Sequence, residues 1–179
     1  MERSVVKMSQ FDQSSEPSSW QELTRQANRY YLLQDIEQAR ALYTHAMTKA
    51  SELLDHFQEI GLPLSAPPIF VVSCHNLADL YFREEKPEQA AVFLHRACSE
   101  LIRLAELPSL PIRARLACVE QLRPAIVALM EREGGALSQQ QKTQMLVLHA
   151  RTAALAVYRI SGYAAQTSLE NVPPIGTPS

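Results

Sequence analysis

Apolar residues recur every three or four positions along most of the chain, which is the spacing of amphipathic α-helices. The pattern is clearest over residues 36–60, where the apolar side chains keep to one face without interruption. Gly61 follows, a residue suited to a left-handed helix end, and Pro63 lies two positions further on. The sequence therefore predicts one long helix of about 26 residues ending at Gly61.

Capping residues and prolines mark where the helices begin. Ser19 stands three positions before Glu22, and Asp35 stands three before Gln38. This is the capping-box spacing, in which the first side chain accepts a hydrogen bond from the backbone of the first turn. A helix over about 19–33 and a second starting after Asp35 are therefore expected.

Four more helices follow from the same signals. They are expected from the segment SAPPIF onward, from Pro87 to before Pro108, over about 110–132 with a kink at Pro124, and from Ser138 to about Gly162. Six helices with short connections predict an all-α fold, a short right-handed α-solenoid of three antiparallel helical hairpins. We expect one helical domain over 19–164, with flexible tails at 1–18 and 165–179.

Two stretches of the chain, residues 23–46 and 74–97, repeat the same internal spacing. Small residues that let two helices approach closely occupy matching positions, and so do bulky residues that fill the space between hairpins. The matched pairs are Leu23/Cys74, Ala27/Ala78, Tyr30/Tyr81, Ala39/Ala90, Tyr43/Leu94 and Ala46/Ala97. This pattern resembles the tetratricopeptide repeat (TPR) family, in two divergent copies over about 19–60 and 67–106 plus a capping helical pair.

The two copies depart from that family in their spacing. Positions 39 and 90 lie 51 residues apart, where the family repeats every ~34 residues. The resemblance nevertheless implies a concave groove, lined by the first helix of each hairpin, that binds a peptide or helix of a protein partner. The groove residues it implies are Thr24, Asn28, Tyr31, His75, Asn76, Asp79 and Phe82.

The same resemblance implies a non-enzymatic adaptor, chaperone or regulatory protein without a cofactor. Family members that grip a C-terminal carboxylate have asparagines at the positions of Asn28 and Asn76. The lysine of that clamp, however, would fall at Thr24. Without the cation a carboxylate would be poorly neutralised, so we do not expect this mode of binding.

Composition and charge argue against several classes of function. The net charge of −2 and the pI near 6.2 give no positive field to attract a nucleic acid, so no direct nucleic-acid binding is expected. Three widely spaced cysteines without a C-x-x-C pattern argue against a disulfide framework and a metal site. The cysteine pattern fits a reducing compartment, so we read the chain as cytoplasmic. We expect no membrane segment, because the most apolar run, 145–160, is shorter than a bilayer span.

Two alternatives remain open at this stage. The chain could be a small-molecule-binding or enzymatic helical domain with a pocket between hairpins, in which His75, Asp79 and Cys74 are the first residues to consider, although no catalytic motif is present. In addition, the sixth helix is apolar on almost every side, so it must be buried on two sides by packing against other helices. A second copy of the chain could supply that cover, as a homodimer.

Overall fold

The computed structural model describes residues 19–132 and 137–170, and the side chains within these ranges except those of 137–139 and 163–170. The described residues form an all-α fold of six helices and no strand. They are α1 (Trp20–Leu32), α2 (Ile36–Ile60), α3 (Ala66–Arg83), α4 (Pro87–Glu106), α5 (Ile112–Glu131) and α6 (Leu137–Glu170).

The helix ends follow the local signals of the sequence. Ser19 accepts a hydrogen bond from the backbone N–H of Glu22, and Asp35 accepts one from Gln38. Gly61 ends α2 in the left-handed conformation, with φ of 74°. The predicted caps of α1 and α2 are thus confirmed, because each satisfies backbone groups that a helix terminus leaves without a partner.

Each helix packs against the next one in the chain, so that antiparallel hairpins stack in a solenoid-like arrangement. The helices α4 and α6, and α3 and α5, also touch each other across this order. The predicted all-α fold built from helical hairpins is confirmed. Between the helices lies one continuous core whose largest fully buried side chains include Leu23, Phe57, Phe70, Leu80, Leu101, Ile102, Leu104 and Val157.

The turns within the first two hairpins share one backbone conformation. Gln34 and Glu85 both have positive φ, of 64° and 58°. The backbone N–H of Asp35 donates to the carbonyl of Tyr30, and that of Lys86 donates to Tyr81 in the same way. The repeated spacing of the sequence therefore corresponds to a repeated local structure.

The sixth helix is longer than its pattern predicts. It continues through Gly162 to Glu170, so the expected end at Gly162 is wrong and part of the predicted C-terminal tail is helical. A Cβ added at Gly162 would meet no atom within 4 Å, so this glycine serves no close packing. Its cost of about 1 kcal/mol in a helix is too small to end the helix where helix-forming alanines follow.

Three sequence-based expectations concern residues at the edges of the described ranges. The predicted stop at Gly134–Gly135, the predicted tail at 1–18 and the part of the predicted C-terminal tail beyond residue 170 lie outside the described residues, and the side chain of Ser138, the predicted cap, lies outside the described side chains. The helix α5 runs unbroken past Pro124. Among the described residues, no helix combines the length and the apolar character that crossing a bilayer requires.

Candidate partner-binding face

The helices α1 and α3 run side by side in the same direction. Near the start of α1, Trp20 Nε1 donates a hydrogen bond of 2.7 Å to Ser73 Oγ, in the middle of α3. Near the end of α1, the carbonyl of Tyr31 accepts a hydrogen bond of 2.9 Å from Arg83 Nη1, at the end of α3. Because the two contacts have nearly the same sequence offset, of 53 and 52 residues, they bring both ends of α1 close to α3.

Tyr43 of α2 reaches this region from the core. Its ring is buried and meets Tyr31 edge to face, with the ring centroids 6.4 Å apart. Its hydroxyl donates a hydrogen bond of 2.6 Å to Asn28 Oδ1. Burial, with smaller contributions from Tyr31 and Asp79, raises the pKa of Tyr43 to about 12, so the phenol keeps its proton. Asn28 is thereby held in place by a buried neutral donor.

An arginine from α3 covers the exposed side of Tyr31. The guanidinium carbon of Arg83 lies 4.6 Å from the centroid of the Tyr31 ring. The same side chain donates to the Tyr31 carbonyl, which fixes the guanidinium above the ring. A cation over an aromatic face at this distance is a favourable contact that also leaves N–H donors available.

A second arginine does the same for Phe82, at the junction of α3 and α5. Arg132 stands just after the end of α5, and its guanidinium carbon lies 4.9 Å from the centroid of the Phe82 ring. Its Nη2 lies 2.7 Å from Asp79 Oδ1, in an ion pair whose two side chains are about 40% exposed (39% and 46%). The ends of α1, α3 and α5 therefore carry two pairs in which an arginine lies over an aromatic ring.

His75 lies one turn before Asp79 on the same helix. Its ring is half-buried, and its Nε2 is buried with no hydrogen-bond partner among the described residues. Burial lowers the pKa of His75, a nearby Asp79 opposes this effect, and Arg132 adds to it. The imidazole is therefore neutral at physiological pH.

We call the surface formed by Asn28, Tyr31, His75, Asp79, Phe82, Arg83 and Arg132 the α1–α3–α5 face. Five of the seven sequence-predicted groove residues lie on it. Asn76 is half-buried beside His75, whereas Thr24 is only 9% exposed and its Oγ1 has no hydrogen-bond partner among the described residues. Thr24 thus offers a partner little surface.

Three residues of this region were missed by sequence reasoning: Tyr43, Arg83 and Arg132. Tyr43 was assigned to packing, which is correct for its ring but not for its hydroxyl. Arg83 is the last residue of α3 and Arg132 follows the last residue of α5, and at both places a basic residue is the ordinary complement to the helix dipole. The sequence offers no signal that they lie over Tyr31 and Phe82, because that depends on how the hairpins stack.

The three cysteines are held as inert thiols. Cys74, Cys98 and Cys118 are fully buried, and burial raises the pKa of each to about 12. A thiol with such a pKa forms almost no thiolate at neutral pH, and the thiolate is the nucleophile and the metal ligand. Within the described part of the chain, no cluster of three or more His, Cys, Asp or Glu side chains could hold a metal ion.

An open hollow lies elsewhere, between α4 and α6, with a volume of about 630 Å³. Apolar and basic or amide side chains line it: His95, Gln141, Lys142, Met145, Leu146 and His149. His149 Nε2 lies 2.8 Å from Glu106 Oε1 on α4, which joins the two helices at the edge of the hollow.

A family model for proteins of unknown function, DUF2753, matches residues 18–154, which is more than half of the chain. This match overturns the resemblance to the TPR family, because the family that matches is a different one. Ala27, Ala39, Ala78 and Ala90 are all fully buried. Close approach of two helices selects alanine at such positions in any family, which explains how the spacing misled.

Neither a curated protein nor a solved structure matches the chain. The match to the family model covers all of α1 to α5 and about half of α6. Through these residues the chain belongs to DUF2753, a family of proteins of unknown function.

Proposed function

We propose that the chain is a non-enzymatic protein-interaction module that binds a peptide or helix of a partner protein on the α1–α3–α5 face. An adaptor, a chaperone and a regulatory protein all act in this way, and the residues of this face are compatible with each of the three. The observation that carries the proposal is the pair of surface contacts in which Arg83 covers Tyr31 and Arg132 covers Phe82.

These contacts have the chemistry of an interaction surface. Tyrosine and arginine are enriched where binding energy concentrates in protein interfaces. Here the aromatic rings are half-buried and fixed, so little conformational entropy is lost when a partner packs on them. The arginines and Asn28 supply donors and an amide for the backbone of a bound segment.

The small-molecule or enzymatic alternative has less support. Its candidate nucleophile, Cys74, is fully buried with a pKa raised to about 12 by that burial. His75 and Asp79 lie on the α1–α3–α5 face, where Asp79 pairs with Arg132. We also propose a cytoplasmic location, since all three cysteines are free thiols, as is usual in a reducing compartment.

The test is an affinity capture from native cell lysate with the full chain as bait, analysed by mass spectrometry. A Tyr31→Ala/Phe82→Ala double variant serves as the altered bait, and Tyr158→Ala, which removes a half-exposed aromatic from α6, serves as the matched control. Far-ultraviolet circular dichroism checks that each variant is folded. A partner retained by the wild type and the control but lost from the double variant supports the proposal, and full retention by the double variant refutes it.

A further inference from the structure

The helix α6 carries two apolar stripes on opposite sides. One stripe packs into the core against α4 and α5, and it contains Thr143, Leu146, Ala150, Ala153 and Val157. The other stripe, which we call the α6 seam, contains Met145, Leu148, Thr152 and Leu155, followed by Arg159. Both stripes advance by alternating steps of three and four, and they are offset by two residues, or about 200° around a helix.

The α6 seam is exposed although most of it is apolar. Met145 is 66% exposed, and Leu148 and Leu155 are each 58% exposed. Its alternating three- and four-residue steps are those of the a and d positions through which one helix packs along another. One apolar stripe of α6 thus packs into the protein's own core, and the second has no cover within the described residues.

The ionisable residues of α6 beside the seam are all basic, and one of them, His149, is in contact with the carboxylate of Glu106 on α4. With Met145 and Thr152 as a positions, Lys142 and His149 occupy e positions and Arg151 occupies a g position. The sequence of α6 contains no acidic residue before Glu170. Charges at e and g decide which helix pairs with which, because they meet the e and g residues of the partner.

The hollow between α4 and α6 adjoins one end of the seam. Met145 belongs to both, and Lys142 and His149 lie on the rim. An open hollow with Met145 and Leu146 in its lining can take an apolar side chain of a bound helix, and such anchoring side chains concentrate binding energy in helix recognition. The two features together describe a receptor surface for a helix.

We propose that the α6 seam binds an amphipathic helix of another protein, whose apolar stripe is flanked by glutamate or aspartate. This surface is separate from the α1–α3–α5 face and does not depend on the function proposed for that face. A second copy of α6 fits poorly, because it would supply no acidic residue to pair with Lys142 and Arg151. A lipid surface fits poorly as well, because Thr152 and Arg159 interrupt the apolar stripe that a membrane-bound helix would bury.

The test measures fluorescence anisotropy of labelled synthetic peptides titrated with the full chain. The probe is a three-heptad peptide of about 21 residues with leucine at a and d and glutamate at e and g; the control peptide has lysine at e and g. We expect the acidic peptide to bind at least about tenfold more tightly than the basic one, because of charge complementarity at e and g.

Protein variants assign the binding to the seam. Leu148→Ser with Leu155→Ser should weaken the acidic peptide at least about tenfold, because it removes the two central apolar contacts. Val92→Ser, at an α4 position that is 63% exposed, should leave affinity unchanged. Lys142→Glu with Arg151→Glu should reverse the preference between the two peptides. All of these positions are exposed or at the surface, and thermal unfolding checks each fold.

Several results would overturn the proposal. They are equal binding of the two peptides, no binding of the acidic peptide at about 100 µM, and undiminished binding by the Leu148→Ser/Leu155→Ser variant. Sedimentation of the wild type as a dimer that this variant dissociates would assign the seam to a second copy. Binding to phosphatidylserine vesicles that the same variant abolishes would assign it to a lipid surface. The Tyr31→Ala/Phe82→Ala variant should bind the acidic peptide normally, which separates this outcome from that of the proposed function.

Discussion

Arg132 Nη2 and Asp79 Oδ1 lie 2.7 Å apart, and this ion pair ties the end of α5 to the last turns of α3. The same arginine covers the ring of Phe82. Arg132 therefore organises the charged and the aromatic parts of the α1–α3–α5 face at once. The pair lies at the surface, where ion pairs contribute little to stability.

Removing this ion pair should leave the protein stable. We expect a double-mutant cycle of Asp79→Asn and Arg132→Gln, measured by urea unfolding, to give a coupling free energy of about 0.2–1 kcal/mol. The amount of partner captured should fall with Arg132→Gln, because this variant lacks the guanidinium group that lies over the Phe82 ring and pairs with Asp79. The control is Lys49→Gln, which breaks a surface pair confined to α2. A coupling above about 2 kcal/mol would contradict this account of an exposed pair.

The neutral state of His75 should make the protein less stable in acid. Burial lowers the pKa of His75 in the folded chain below its ordinary value of 6.5. The unfolded state then binds the proton more readily, so the free energy of unfolding is fully present above pH 6.5 and falls as the pH drops through that value toward the lowered folded pKa. Urea unfolding at a series of pH values from 8 to about 5 measures the slope.

His75→Gln should flatten that dependence. The matched control is His45→Gln, which replaces an exposed histidine on α2. If the wild type and His75→Gln lose stability in parallel as the pH falls, His75 is not the group responsible. A change in the free energy of unfolding at pH 8 alone does not test the role of His75. The slope of that free energy against pH is the quantity that shows proton uptake on unfolding.

The three thiols should resist modification until the chain unfolds. Each cysteine is fully buried and has a pKa of about 12. With Ellman's reagent at pH 8, we expect the native protein to react at least ~100-fold more slowly than the unfolded chain, in which the thiol pKa returns to about 8.5. If the native protein rapidly released one equivalent of thionitrobenzoate from the reagent, one cysteine would lie in a region that opens easily.

Gly61 should tolerate no side chain. Its φ of 74° is in the left-handed region, and a Cβ there would lie 2.9 Å from Cδ of Pro111 at the start of α5. Gly61→Ala should therefore lower the free energy of unfolding by about 1–3 kcal/mol. Gly162→Ala is the matched control, because a Cβ at that helical position meets open space, and it should raise stability by up to about 1 kcal/mol. Equal effects of the two substitutions would refute the conformational argument.

The helices themselves could be predicted because their signals are local. The capping hydrogen bonds at Ser19 and Asp35 involve residues three apart, and Gly61 acts within its own turn. The end of α6 could not be predicted in this way. A single glycine weakens a helix by an amount that the neighbouring residues outweigh, so Gly162 is only a weak stop signal.

The family could not be inferred from the spacing of alanines. Ala27/Ala78 and Ala39/Ala90 do repeat, and all four are buried where helices approach closely. That requirement is physical and is met by unrelated helical families, so it predicted the hairpins correctly and the TPR family wrongly. The groove residues inferred from the resemblance remain predictions, and the burial of Thr24 already reduces what one of them can contribute.

The sequence by itself determined the six helical segments and the caps of α1 and α2, since each depends on periodicity or on neighbours within a turn. Only the tertiary structure placed Arg83 over Tyr31 and Arg132 over Phe82, because the partners in each pair come from different helices. It also decided which apolar stripe of α6 is buried. Both stripes have the same spacing, and only packing against α4 and α5 distinguishes the one that belongs to the core from the one left at the surface.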